Sequence, residues 1–186
     1  MGDDRKILFE RVYLDTYGQI LGYAMRRCDS PEDAADVVAE TFEIAWRKVD
    51  DLPSGEQARL WLYGVARNVL ANHRRGRLRR HTHQTALRED IADRYARTPS
   101  PEEHVERGAI GRVFRELSDD DRELLSLVVW EGLDAGEIAR VLGGSRNAVR
   151  IRLHRARRRF SRGLAAEGVE SIPMSRDVRL TTGRPL

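Results

Sequence analysis

The chain has 186 residues, enough for one medium domain or two small ones, and 33 basic against 30 acidic residues give a formal net charge of +3 at pH 7. Its single cysteine, Cys28, excludes an internal disulfide and a cysteine-rich zinc site, and it fits a reducing cytoplasm. The sequence has neither a long apolar run nor a signal-peptide pattern, so we expect a cytoplasmic protein that does not insert into a membrane.

Apolar residues recur at helical spacing along most of the chain, and alternation with period two is absent, which predicts an all-α fold. A first helix ends near Cys28. A second helix has Ser30 as its N-cap, Pro31 at its first position and Asp33 where a capping box places an acid. Its predicted buried stripe consists of Val38, Phe42, Ala45, Trp46 and Val49.

A third predicted helix follows a break at residues 50–55 and ends in a basic cluster. Its apolar side contains Leu60, Trp61, Val65, Ala66, Val69 and Leu70, and the cluster contains Arg74, Arg75, Arg77, Arg79 and Arg80. Periodicity then fades. We therefore predict two small helical domains, at 1–80 and 101–167, joined by a flexible linker at 81–100 and followed by a disordered tail at 168–186.

The second domain shows the pattern of a helix-turn-helix. Ser118 and Asp121 are spaced as a capping box before one helix, and a short helix follows. Ala139 is small enough to let two helices approach, Gly143 allows a left-handed turn, and Val149 closes the core six residues later. The helix after this turn is therefore predicted to enter the major groove of DNA.

That last helix is strongly basic, with eight arginines and no acidic residue between Ser145 and Arg162. On a helical wheel, Val149, Leu153, Ala156 and Phe160 form a narrow apolar arc. Like charges four residues apart destabilise an isolated helix, so we infer a polyanionic partner, DNA. The alternative is an exposed basic helix without a specific partner. We predict base contacts from Arg146, Asn147, Arg150, Ile151 and His154, and phosphate contacts from Arg152, Arg155 and Arg159.

Three segments in order resemble the extracytoplasmic-function sigma factors of bacterial RNA polymerase. They are DAADVVAETFEIAWRKV, similar to the polymerase-binding helix, ARLWLYGVARNVLANHRRGRLRR, similar to the promoter-melting helix, and EGLDAGEIARVLGGSRNAVRIRLHRARRRF, similar to the DNA-binding region. The resemblance covers roughly residues 7–80 and 101–165. It implies a subunit that binds core RNA polymerase, recognises two promoter elements and has no catalytic centre, metal or cofactor of its own.

The resemblance also assigns residues to surfaces. Recognition of the minus-35 element is implied for Ser145, Arg146, Asn147, Arg150, Ile151, Arg152, His154 and Arg155. Recognition and melting of the minus-ten element are implied for Trp61, Tyr63, Arg67, Asn68, Asn72, Arg74 and Arg75. Polymerase binding, at the clamp of the largest subunit, is implied for Asp36, Glu40, Thr41, Glu43 and Arg47, although this mostly acidic ridge could also be an ordinary solvated face. The flap of the polymerase and an anti-sigma factor are further implied partners, and the resemblance implies that a flipped base is captured at the 50–57 loop.

The sequence departs from the family pattern in the recognition helix, where Asn147, Ala148 and Ile151 replace residues that are often Gly, Thr and Ser. The promoter sequence is therefore left open. Two other functions would require different features. A stand-alone helix-turn-helix regulator would be a dimer on a palindromic site. An enzyme acting on nucleic acid would need clustered carboxylates or a positioned nucleophile, and the acids at 119–121 are explained by a helix start.

Overall fold

A computed structural model describes residues 2–81 and 101–169, and within these ranges every regular element is helical. The elements are α1 (Gly2–Met25), α2 (Pro31–Arg47), a short 3-10 turn (Val49–Asp51), α3 (Glu56–His81), α4 (Pro101–Glu116), α5 (Asp119–Val129), α6 (Ala135–Leu142) and α7 (Arg146–Ala166). The predicted all-α fold is thereby confirmed. The predicted linker beyond His81 and the predicted tail beyond Val169 lie outside the described residues.

Two helix starts are capped as predicted. Ser30 Oγ accepts a hydrogen bond from the Asp33 N–H at 3.1 Å, and Ser118 Oγ accepts one from the Asp121 N–H at 3.2 Å. Helical patterning in the sequence continues to Leu133, but α5 ends at Val129. The chain turns there because Gly132 has a φ of 66°, a conformation that favours glycine.

The described residues group into two compact units by their backbone contacts. The first contains described residues of 1–94 and 126–150, and the second those of 95–125 and 151–186. In the first unit α1, α2 and α3 pack on one another and α6 packs on α3. The division into domains at 1–80 and 101–167 stays a prediction, since residues 126–150 group here with the first half of the chain.

The core of the first unit contains large side chains from all four of these helices, including Ile20, Tyr23, Val37, Phe42, Leu62, Val69 and Ile138. Trp46, which the sequence assigns to the buried stripe of α2, is 46% exposed. It lies at the edge of the contact between α1 and α2, where its ring meets Phe9 edge-on with centroids 5.2 Å apart. The prediction that Trp46 is buried was therefore wrong. Helical spacing identifies the face of a helix that packs on its neighbour, but it does not show where the contact between the two helices ends.

The second unit has a smaller core. Ala109, Val113, Leu124, Leu125, Leu153 and Ala156 are buried in it, and the rings of Phe114 and Phe160 meet edge-on at 6.2 Å. A side chain at Gly163 would collide with Val113, because an added Cβ would lie 2.4 Å from Val113 Cγ1. Of the helices in residues 2–81 and 101–169, none has both the length and the apolar content needed to cross a lipid bilayer.

Candidate nucleic-acid interface

Helix α6, the first helix of the predicted helix-turn-helix, starts in a complete capping box. The Asp134 carboxylate accepts hydrogen bonds from the N–H groups of Gly136 at 2.6 Å and Glu137 at 2.8 Å, and the Glu137 carboxylate accepts one from the Asp134 N–H at 2.8 Å. The hydrogen bond from Glu137, with a further one from Gly136, lowers the pKa of Asp134 despite partial burial. Sequence reasoning missed this cap, although an acid followed three residues later by Glu is its signature.

The turn after α6 has the geometry that the sequence predicts. Gly143 ends the helix with a φ of 68°, and the Gly144 N–H donates to the carbonyl of Ala139 at 2.9 Å. Ser145 Oγ then accepts a hydrogen bond from the Ala148 N–H at 3.2 Å and caps α7. Ala139 and Val149 are both buried, so the predicted roles of the small residue, the glycine and the sealing valine are confirmed.

Helix α7 presents the whole predicted minus-35 set to solvent. Val149, Leu153 and Ala156 are buried and Phe160 is half-buried, so the apolar arc anchors the helix. The exposed residues are Ser145, Arg146, Asn147, Arg150, Ile151, Arg152, His154 and Arg155. An exposed Ile151 among these polar groups could contact a thymine methyl group without leaving the surface.

Two arginines of α7 are paired with acids at the start of α5. Arg159 Nη1 donates to Asp121 Oδ2 at 2.6 Å, and Arg152 Nη2 lies 3.2 Å from Asp120 Oδ2. The sequence explains these aspartates as favourable charges at a helix N-terminus. Their second role, pairing with an arginine 32 or more positions along the chain, depends on tertiary contact and has no signal in the local sequence.

A cleft of about 440 Å³ beside α3 brings together three residues of the predicted minus-ten set, Trp61, Asn68 and Asn72. Lys48 and Arg140 also line it, and sequence reasoning assigned neither of them to a site. The cleft thus combines an aromatic ring, two amides and two cations, which suits an unstacked base and its phosphate.

The basic end of α3 continues from this cleft. Arg75 Nη2 donates to Asn72 Oδ1 at 2.6 Å, Arg74 is exposed and Arg67 is half-buried. Arg77, Arg79 and Arg80 lie in the last turns of the same helix. The predicted minus-ten residues therefore share one helix, and most of them share its accessible side.

Tyr63 is separated from that group. Its side chain is 2% exposed, and its ring lies 5.2 Å from that of Tyr23, inside the core. Burial, with the charge of Glu131 as the second cause, raises the pKa of Tyr63 to about 12. Tyr63 therefore lies in the core and does not line the cleft of Trp61, Asn68 and Asn72, whereas its neighbour Trp61 is half-buried.

The predicted polymerase-binding residues also differ from one another in burial. Asp36, Glu43 and Arg47 are exposed on α2, with Arg47 Nε 3.7 Å from Glu43 Oε1. Glu40 Oε2 lies 2.9 Å from His73 Nε2 and joins α2 to α3. Thr41 is fully buried and donates to the Val37 carbonyl at 2.6 Å, so it lies under the acidic ridge and not on it.

Within the part of the chain that the structure describes, no group of three or more His, Cys, Asp or Glu side chains could hold a metal ion. The charged groups on α7 and at the basic end of α3 are mainly arginines. Their geometry suits the binding of a phosphate backbone and of base edges.

Family models of the sigma-70 proteins match most of the chain. The model of sigma-70 region 2 matches residues 12–92, and the model of sigma-70 region 4 matches residues 107–160. The RNA polymerase sigma factor NccH of Alcaligenes xylosoxydans xylosoxydans is 33% identical over 150 residues, which cover 78% of this chain and 81% of that protein. The sigma factor CnrH of Cupriavidus metallidurans is 32% identical over 160 residues, with coverages of 81% and 84%.

Two solved structures have a similar fold. One is the sigma factor RpoE in complex with the anti-sigma factor NepR from Bartonella quintana, with a TM-score of 0.65, 24% identity, and coverage of 84% of this chain and 96% of that chain. The other is CnrH in complex with the cytosolic domain of CnrY, with a TM-score of 0.56, 26% identity and coverages of 85% and 88%.

Proposed function

Because the chain belongs to the extracytoplasmic-function sigma factors of the sigma-70 family and directs promoter-specific transcription initiation, we propose how its surfaces divide that task. The observation that carries the proposal is the geometry of α7. Its apolar arc is buried except for the half-buried Phe160, while all eight predicted minus-35 residues are exposed after a tight glycine turn. We assign α7 to the major groove of the minus-35 element.

The face of α3 with the cleft of Trp61, Asn68 and Asn72 is assigned to the minus-ten element. The ring offers a stacking surface, the amides offer donors and acceptors to base edges, and Lys48, Arg74 and Arg75 offer charge to the backbone. Tyr63 has a structural role in this assignment, since it supports α3 from the core.

The exposed ridge of Asp36, Glu43 and Arg47 on α2 is assigned to the clamp of the largest polymerase subunit, and the second unit to the flap region. Glu40 acts as a partner of His73 at the border of the ridge. In this scheme the chain contributes no reacting group, because recognition and melting need contacts and not catalysis. It acts in the cytoplasm, where the polymerase is.

We also propose regulation by an anti-sigma factor. Support comes from two similar proteins: RpoE is described in complex with the anti-sigma factor NepR, and CnrH in complex with the cytosolic domain of CnrY. The family assignment does not favour the alternative of a stand-alone dimeric regulator.

The polymerase interface can be tested by size-exclusion chromatography with bacterial core RNA polymerase. We expect the wild-type chain to co-elute with the polymerase and the Asp36→Arg/Glu43→Arg variant to lose co-elution. Glu40 is left unchanged because it contacts His73. The matched control is Asp15→Arg/Glu116→Arg, which makes the same charge change at exposed positions on α1 and α4. Equal loss in both variants would show a general charge effect, and no co-elution of the wild type would contradict the function.

A further inference from the structure

Asp120, the second residue of α5, pairs with an arginine of the helix assigned to the minus-35 element. Asp120 Oδ2 lies 3.2 Å from Arg152 Nη2, and both residues belong to the second unit. The side chain of Asp120 is 76% exposed and that of Arg152 is 44% exposed. Arg152 is one of the residues for which we predict a contact with phosphate. A carboxylate therefore lies beside a guanidinium that the backbone of DNA also attracts.

The contact between Asp120 and Arg152 is not what holds the start of α5 in place. Ser118 Oγ caps this helix by accepting a hydrogen bond from the Asp121 N–H, and the nearly buried Asp121 carboxylate accepts one from Arg159 at 2.6 Å. An ion pair as exposed as that of Asp120 shifts a folding equilibrium by no more than about fivefold, because water screens both charges. The fold therefore does not explain why an acid lies next to Arg152.

A carboxylate and a phosphate need the same donors of a guanidinium. Both anions accept charge-assisted hydrogen bonds from its N–H groups. When Arg152 binds a phosphate, either its ion pair with Asp120 separates or the carboxylate stays close to the phosphate, where two negative charges repel each other. Each of these events weakens a complex with DNA. The weakening is the same for every DNA sequence, because a phosphate carries no sequence information.

We propose that Asp120 is an intramolecular competitor of DNA phosphate at Arg152 and that it lowers the affinity of α7 for DNA of any sequence. The inference rests on the assignment of α7 to the minus-35 element under the proposed function. Contacts with phosphate supply nearly all of the affinity for non-specific DNA, which is in large excess in a genome. Asp120 thus limits binding to such sites, and exposed residues that face bases, such as Asn147, decide which sequence is preferred.

Two matched substitutions test the competition. Asp120→Asn and Asp119→Asn each remove one negative charge from adjacent, exposed positions in the first turn of α5, but Asp119 pairs with Arg122 of its own helix. The full chain in complex with core RNA polymerase is titrated with two labelled duplexes. One duplex is selected by the wild-type complex from a pool of random sequences, and the other is the same duplex with a scrambled minus-35 element. Far-UV circular dichroism checks that each variant retains its helices.

Asp120→Asn should tighten binding to both duplexes by about two- to fivefold, and it should steepen the slope of log K against log salt by about 1. The ratio of the two dissociation constants should not change. Asp119→Asn should give less than about half of this gain, since its charge acts only through screened repulsion. Equal gains show a general charge effect and overturn the proposal, as does a gain confined to the selected duplex. Unchanged or weaker binding of Asp120→Asn also overturns it, and weaker binding means that the carboxylate orients Arg152 for DNA.

A double-mutant cycle with Arg152→Ala shows whether the gain passes through this arginine. In the Arg152→Ala background, Asp120→Asn should tighten binding no more than Asp119→Asn does, and the full gain in that background overturns the competition. If the chain does not bind core polymerase, or if the wild-type complex selects no duplex, the proposed function fails. The same cycle with the chain alone on a duplex of random sequence then still decides whether Asp120 competes with phosphate. A chain that binds no DNA in either form overturns both.

Discussion

Arg159 and Asp121 form an ion pair that joins α7 to the start of α5, with Nη1 of the arginine 2.6 Å from Oδ2 of the aspartate. The Asp121 side chain is 9% exposed, and its backbone N–H also donates to the Ser118 cap. The neighbouring pair of Asp120 with Arg152 has similar chemistry, but the Asp120 side chain is 76% exposed. Two adjacent aspartates thus make the same kind of contact in different environments.

This difference predicts unequal effects on stability. Replacing Asp121 by alanine should lower the free energy of unfolding by about 1–2 kcal/mol, because a buried carboxylate and its hydrogen bond to a half-exposed Arg159 are lost. Asp120→Ala should change it by less than about 0.5 kcal/mol, as for exposed ion pairs generally. Urea denaturation followed by circular dichroism measures both. Equal losses would contradict the role given to burial.

The two glycines of the turn before α7 provide a matched pair. Gly143 has a φ of 68°, whereas Gly144 has no positive φ, and an added Cβ would meet no atom within 4 Å at either position. Gly143→Ala should therefore cost about 1–2 kcal/mol through backbone strain alone, and Gly144→Ala should be nearly neutral. Thermal unfolding distinguishes them. A neutral Gly143→Ala would mean that the turn does not need the left-handed conformation.

Burial of Tyr63 predicts a loss of stability at high pH. Its pKa is raised to about 12 in the folded chain from 10.0, so the unfolded chain loses this proton first. The free energy of unfolding should fall as pH rises from about 10 to about 12, since the folded state then holds more protons.

Ultraviolet titration of tyrosinate should show this late ionisation in the wild type and not in Tyr63→Phe. Tyr13→Phe, with a ring at the surface, serves as control and should retain the late phase. A Tyr63→Phe variant that retains it would assign the raised pKa to another tyrosine.

Salt dependence should separate phosphate contacts from base contacts in α7. For the complex with core polymerase and promoter DNA, Arg152→Ala should weaken binding to all sequences and reduce the slope of log K against log salt by about 1. Asn147→Ala should leave the slope unchanged and alter the preference at one or two minus-35 positions. A slope unaffected by Arg152→Ala would place this arginine away from phosphate, in its pair with Asp120.

Local sequence was sufficient for the helices and for the exposed face of α7. Ser30 and Ser118 cap helices as their spacing predicts, and the sequence of Ala139, Gly143 and Val149 gives the predicted turn. The buried arc of Val149, Leu153 and Ala156 follows from helical periodicity, and it leaves most of the arginines of α7 exposed. These features depend on residues within about two turns of each other, where backbone geometry fixes which side chains share a face.

Tertiary structure decided the burial of single residues and the pairing of distant charges. Thr41 and Tyr63 lie on helices whose other predicted residues are exposed or half-buried, and only the packing of neighbouring helices shows that both are in the core. Glu131 meets Arg26 more than 100 residues away in the chain. Helical periodicity assigns residues to a face of one helix. Whether a second helix covers that face, and which charged side chain it places there, depends on contacts that form only when the whole chain folds.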